Sequence, residues 1–169
     1  ARISNANLLT APSKTFFVSG AGGSIGAEIT RQLLLCNPKE IILFELSEYN
    51  LFAIERECLA IINTKNLDSV VVPILGDIRD RGNLEYIFKQ FHVDCIYHAA
   101  AYKHVPIVEH NLIEGLKNNL LGTYTLAKIA LDKNVNNFVF ISTDKAVRPT
   151  NIMGATKRLA ELSLQALHE

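Results

Sequence analysis

Ser142-Thr143-Asp144-Lys145 is followed, eight residues past the lysine, by Met153-Gly154-Ala155-Thr156-Lys157. Residues 140–144 run from apolar to polar, the pattern of a strand leaving the interior at a reactive end. Lys157 stands four residues after Met153, one helical turn away on the same face. Two lysines, an acid and hydroxyls in so short a stretch suit proton transfer around a sugar better than simple alcohol oxidation.

A second stretch, Gly20-Ala21-Gly22-Gly23-Ser24-Ile25-Gly26, joins an apolar run to a helical pattern. Glycines permit a tight turn and a close approach of backbone to a pyrophosphate. The helix start adds unpaired N–H groups and the positive end of a dipole. Gly20, Gly22, Gly23, Ser24, Ile25 and Gly26 are therefore candidate dinucleotide contacts. Glu45 ends the next apolar run, 19 residues past Gly26. An acid there accepts from an adenosine ribose and repels a 2′-phosphate, and no Arg or Lys follows before Arg56, which favours NAD over NADP. Asp77 and Ile78 flank the adenine in this reading; alternatively Asp77 only caps a turn. Ala99, Ala100 and Ala101 are small enough to let a cofactor lie flat.

These residues need a scaffold, and the apolar pattern supplies one. Strands are expected at 15–19, 41–44, 70–75, 95–98 and 138–141. Pro73 suits the outer strand of a 3-2-1-4-5-6 dinucleotide-binding order. Between the strands, Ile25, Ile29, Leu33 and Cys36 line one helix, and residues 48–62 form another. Leu84, Ile87, Phe88 and Phe91 mark a short helix. Leu116, Leu120, Thr123, Ala127 and Ala130 stripe a long one. Ala155, Leu159, Leu162 and Ala166 stripe the last, with Thr150 as its expected cap. Unbroken apolar strands alternating with helices predict an α/β fold, a doubly wound parallel sheet of Rossmann type. Residues 1–13 read as a poorly ordered lead-in, and 14–169 as one dinucleotide-binding domain.

Composition bounds the partners. The 169 residues carry 17 basic and 17 acidic side chains, interspersed along the chain, which gives nothing for nucleic acid or an acidic membrane surface to recognise. Every apolar run is too short to span a bilayer. Cys36, Cys58 and Cys95 lie far apart in apolar patterns and read as core residues of a reducing compartment. The five histidines show no ligand spacing, so no metal is expected.

With these residues in view, the chain resembles the extended short-chain dehydrogenases/reductases. Within them it is similar to the nucleotide-sugar 4,6-dehydratases of the CapD-like polysaccharide-biosynthesis type. The matching stretches are GAGGSIG at 20–26, GDIRD at 76–80, HAAAYKHVP at 98–106, NNLLGT at 118–123 and STDKAVRPTNIMGATKR at 142–158. The resemblance implies a UDP-N-acetylglucosamine 4,6-dehydratase: C4 oxidation by NAD, C5 proton removal, water loss at C6 and hydride return. It casts Lys145 as the C5 base, Asp144 as the C6 acid, Thr143 as the partner of the C4 hydroxyl and Lys157 as the partner of the nicotinamide ribose. Lys103 either contacts the UDP-sugar or stays solvated. The family pattern has tyrosine where this chain has Met153, a departure shared with large membrane-associated bacterial members. The chain is thus expected to be a fragment of a longer enzyme anchored to the inner membrane, with this part in the cytoplasm and not itself touching membrane. On its own it is expected to be inactive. The long helix and the last helix are candidates for pairing in a homo-oligomer.

Overall fold

The computed structural model describes residues 11–168. Its strands are β1 (Thr15–Ser19), β2 (Glu40–Glu45), β3 (Val70–Leu75), β4 (Cys95–His98) and β5 (Asn137–Phe140). All pair in parallel, in the order β3-β2-β1-β4-β5. The helices are α1 (Ser24–Leu34), α2 (Glu48–Lys65), α3 (Arg81–Gln90), α4 (Val105–His110), α5 (Leu112–Leu116), α6 (Thr123–Asp132) and α7 (Ile152–His168). A π-helical segment, Lys117–Gly122, joins α5 to α6. The expected Rossmann-type architecture is the one observed.

Successive strand residues point to opposite faces, and both faces of this sheet are covered. Phe16, Val18, Ile41 and Leu43 pack with Leu33, Leu34, Ile54 and Cys58 from α1 and α2. Phe17, Ile42, Phe44 and Ile96 pack with Leu84, Ile87, Leu126 and Ile129 from α3 and α6. Pro73 lies on β3, opposite Leu43 of β2, at the sheet edge where a missing donor costs nothing. Cys58 and Cys95 are buried free thiols. Most of the expected lead-in lies outside the described residues; Ala11–Ser13 form a single 3₁₀ turn. Among the described residues no helix is long and apolar enough to cross a membrane.

Several expectations need correction. Helix α1 buries Gly26, Ala27, Thr30, Leu33 and Leu34, whereas Ile25 is 53% exposed and Cys36 lies past the helix end. Small residues let α1 sit close to the sheet, and in its first turn Gly26 and Ala27 face inward while Ile25 is turned outward. The stripe through Leu116 and Leu120 gives way to buried Asn118, Asn119 and Gly122, because the wider π turn rotates the inward face. Helix α7 buries Met153, Thr156, Lys157 and Ala160, while Leu159 and Leu162 are 45% and 43% exposed. Asn151, not Thr150, supplies its cap: Oδ1 accepts from Gly154 N at 2.7 Å. Helix α4, six residues with a proline in its first turn, is too short to show a helical period in the sequence.

His98 closes β4 with no exposure at all. Thr123 donates its single hydroxyl proton to the Asn119 carbonyl at 2.7 Å. The Thr123 oxygen, 2.8 Å from His98 Nε2, must then accept, which leaves Nδ1 to accept from Ser19 Oγ at 2.6 Å. Burial first, and the nearby Lys157 charge second, push the His98 pKa down to about 3. An unfolded histidine takes a proton as pH falls below 6.5, while the folded one refuses it, so acid removes stability. Urea unfolding should therefore lose stability from this group as pH falls from about 6.5 to about 5, at a rate that climbs toward about 1.4 kcal/mol per pH unit. In His98→Gln the slope over that window should flatten.

Candidate active site

The carboxyl ends of β1, β2, β4 and β5 open on one edge of the sheet, where a cleft of about 430 Å³ runs across them. Open α/β sheets bind ligands in such crevices. At one end the glycine loop turns from β1 into α1. Gly20 has φ +67°, and a Cβ there would lie 2.7 Å from Ala100 N. Its N–H bonds the Phe44 carbonyl at 2.8 Å, tying the loop to β2. No side chain caps α1, so its first-turn amides remain available to an anion such as a pyrophosphate.

Within the chain, Glu45 is engaged by backbone. Its Oε2 accepts from Gly22 N at 3.0 Å, and its Oε1 from Leu46 N and Ser47 N at 3.0 and 3.1 Å. The carboxylate clamps the glycine loop onto the β2–α2 turn as well as lining the cleft. Gly22, whose N–H it takes, does not line the cleft. Asp77 lines it, and also caps its turn: Oδ1 accepts from Arg79 N at 2.8 Å, and the Arg79 guanidinium pairs with the carboxylate. Hydrogen bonds from the Arg79 guanidinium, more than the one from its backbone N–H, hold the Asp77 pKa below the usual carboxylate range. Ile78, Ala99, Ala100, Ala101 and Lys103 line the same space, together with Gly20, Gly23, Ser24, Ile25 and Gly26.

The other end is built by the turn after β5 and the start of α7. A Cβ on Gly154 would sit 2.1 Å from the Lys145 carbonyl oxygen, so glycine lets α7 rest directly on the turn that presents Lys145. Thr143, Lys145, Met153 and Lys157 all line the cleft. Asp144 does not: its side chain is 89% exposed. Its carboxylate accepts from Thr143 Oγ1 at 2.9 Å and Lys145 N at 3.0 Å, with Lys145 Nζ 3.7 Å away. The Thr143 hydroxyl first, then the Lys145 charge, keep its pKa low. As folded, Asp144 is a carboxylate, and any acid role requires it to gain a proton first.

Lys157 is 5% exposed. Its ammonium donates to the Ile141 carbonyl at 2.7 Å and lies 4.0 Å from the Phe140 ring centroid. Burial pushes its pKa down to about 8, with the Glu161 carboxylate opposing the shift. Ser142 hydrogen-bonds Glu161. Buried Asn119 received no role from the sequence. Its amide grips Tyr102 N and O at 2.8 and 2.9 Å and Thr156 Oγ1 at 3.0 Å, binding the loop that carries Lys103 to α7. Asn118, Leu46 and Asn50 line the cleft and were also missed. The paired asparagines in a helical stretch were the available signal, since two adjacent inward polar side chains need a widened turn. Among the described residues no group of three or more His, Cys, Asp or Glu side chains could hold a metal ion.

A parallel sheet with a glycine-loop cleft at its carboxyl edge defines the class of Rossmann-type dinucleotide-binding domains. The chain belongs to the polysaccharide biosynthesis protein family, whose profile matches residues 16–169. It is 43% identical over 157 residues to the capsular polysaccharide biosynthesis protein CapD of Staphylococcus aureus, covering 93% of this chain and 26% of that protein. It is 34% identical over 145 residues to the inverting UDP-N-acetylglucosamine 4,6-dehydratase of Campylobacter jejuni, covering 85% of this chain and 40% of that enzyme. Among solved structures, DesIV of Streptomyces venezuelae, a dTDP-glucose 4,6-dehydratase with NAD and TYD bound, superposes with a TM-score of 0.74 at 29% identity. That match covers 91% of this chain and 51% of DesIV. The chain is also 32% identical over 149 residues to the UDP-glucose 4-epimerase of Rickettsia prowazekii, covering 88% of this chain and 42% of that enzyme. The chain thus spans well under half the length of these curated relatives.

The buried Lys157 has a measurable consequence. Its folded pKa near 8 lies below the ordinary 10.5, so between those values the unfolded chain holds a proton that the folded one has lost. Stability should rise with pH across that window, after a penalty on the order of 3 kcal/mol below it. Chemical unfolding from pH 7 to pH 11 should show the rise in the wild type and not in Lys157→Met.

Proposed function

We propose that the polypeptide carrying this domain is an NAD-dependent UDP-N-acetylglucosamine 4,6-dehydratase that forms a 4-keto-6-deoxy nucleotide sugar for glycan synthesis. The observation that carries the reading is the Thr143-Asp144-Lys145 turn, which presents two side chains to the cleft and links the third to them by hydrogen bond and charge. The glycine loop and the uncapped start of α1 fit a pyrophosphate, and the Glu45 carboxylate at the β2 end disfavours a 2′-phosphate.

A bound nicotinamide dinucleotide would accept hydride from sugar C4 and return it to C6. The residues of the chain handle the protons. The C4 hydroxyl sits against Thr143 Oγ1, and its proton passes through that hydroxyl to Asp144. Lys145 meets the substrate as the free amine, its ammonium proton having passed to solvent, and protonating Asp144 removes the negative charge 3.7 Å away that would draw that proton back. Lys145 takes the C5 proton, made acidic by the C4 ketone. Asp144, turning inward, gives its proton to the C6 hydroxyl, which leaves as water. Lys145 then returns its proton to C5. The proton taken from C4 is the one lost with water, so Asp144 ends as a carboxylate and Lys145 as an amine, the states in which they began. Met153 exchanges no proton; Lys157 orients the nicotinamide ribose.

The native polypeptide incubated with UDP-N-acetylglucosamine should yield a product lighter by one water in mass spectrometry. Lys145→Ala should lower kcat by about 100-fold or more. A product of unchanged mass would instead mark an epimerase, and full activity in Lys145→Ala would remove that lysine from the chemistry.

A further inference from the structure

The cleft has two walls that are not continuous in the chain: the loop bearing Ala99–Lys103, and the first turns of α7 bearing Met153 and Lys157. Asn119 is the buried tie between them. A second tie lies at the surface. Helix α4 continues from the first wall, and Glu109 on it reaches the start of α7, where its Oε1 accepts from Ile152 N at 2.7 Å. Ile152 is the first residue of α7, so its amide has no partner within the helix. A carboxylate there also complements the positive end of the helix dipole. Asn151 takes the amide two residues further on, that of Gly154. The two caps therefore come from different elements. The Asn151 cap is local to the helix, whereas the Glu109 cap couples the helix to the opposite wall. Val108, the residue before Glu109, is 2% exposed and abuts Gly115, so α4 is itself anchored and its pull on α7 has a fixed origin.

We propose that Glu109 is a positioning residue for this site: by holding the amide of Ile152 it sets where α7 places Met153 and Lys157 relative to the loop of Ala99–Lys103. The role of those two side chains rests on the dehydratase reading, but the placement does not. Glu109 lies outside the cleft lining and touches no reacting group. Its influence is transmitted through one hydrogen bond to a helix that does.

Three variants isolate that bond in the native polypeptide. Glu109→Ala removes the acceptor. Glu109→Gln keeps an acceptor oxygen without the charge. Ile152→Pro removes the donor at a helix position where proline is well tolerated. Small misplacements of reacting groups are costly, so Glu109→Ala and Ile152→Pro should each lower kcat by about tenfold, with KM for UDP-N-acetylglucosamine and NAD affinity within about twofold of wild type. Glu109→Gln should retain at least about half of kcat, and the double variant Glu109→Ala/Ile152→Pro should be no worse than either single one. Wild-type kcat in Glu109→Ala, equal losses in the Gln and Ala variants, or additive losses in the double variant would overturn the assignment. A second readout needs no turnover. In carbon-13 lysine spectra, the Lys157 titration near 8 should move toward the ordinary lysine value in Glu109→Ala and stay in place in Glu109→Gln. An unmoved titration would overturn the placement, whereas absence of dehydratase activity in the wild type would overturn only the dehydratase reading.

Discussion

The ammonium of Lys157, held 2.7 Å from the Ile141 carbonyl, is the contact on which the rest of the site depends. A cation that deep is costly unless it is paired. The carbonyl lies just past the end of β5, so the need to satisfy the ammonium pins α7 to that strand. Once α7 is pinned there, Gly154 meets the Lys145 carbonyl, and the turn of Thr143, Asp144 and Lys145 is presented to the cleft. The aromatic face of Phe140 and the neutral His98 complete a pocket that tolerates one positive charge and no second one.

The opposite end of the cleft obeys the same rule with the sign reversed. The Glu45 carboxylate, 9% exposed, is met by three backbone N–H groups. Charge-assisted bonds of this kind are short and strong for their number, and they draw the glycine loop and the β2–α2 turn together. The cleft is therefore bounded by two largely buried charges of opposite sign, each secured by backbone. An extended ligand with an anionic middle could lie between them, its phosphates at the uncapped start of α1.

Much of this was legible in the chain. The five strands emerged within a residue or two, because parallel strands covered on both faces are unbroken apolar runs and cannot be disguised. Pro73 announced its own edge. The glycine loop and the turn after β5 were visible as motifs. Helical faces were less so. In α7 the apolar stripe through Leu159 and Leu162 points outward, and the buried face includes Thr156 and Lys157. Hydrophobic periodicity fails where polar groups are buried for a purpose, since their partners, here Asn119 and Ile141, lie far away in sequence. The π segment defeated the same method by changing the period itself.

The α/β alternation, the strand that must lie at the edge, the glycine loop and the residue types gathered after β5 are all written into the chain, because each depends on neighbours within a few positions. What those residues touch came with the folding of distant segments onto one another. That folding turned Glu45 inward to hold Gly22, left Asp144 in solvent while lowering its pKa, neutralised His98 and brought Glu109 to the start of α7 across 43 positions of chain. The physical reason is that charge state and hydrogen bonding are set by desolvation and by partners in space. Neither quantity is carried by local spacing.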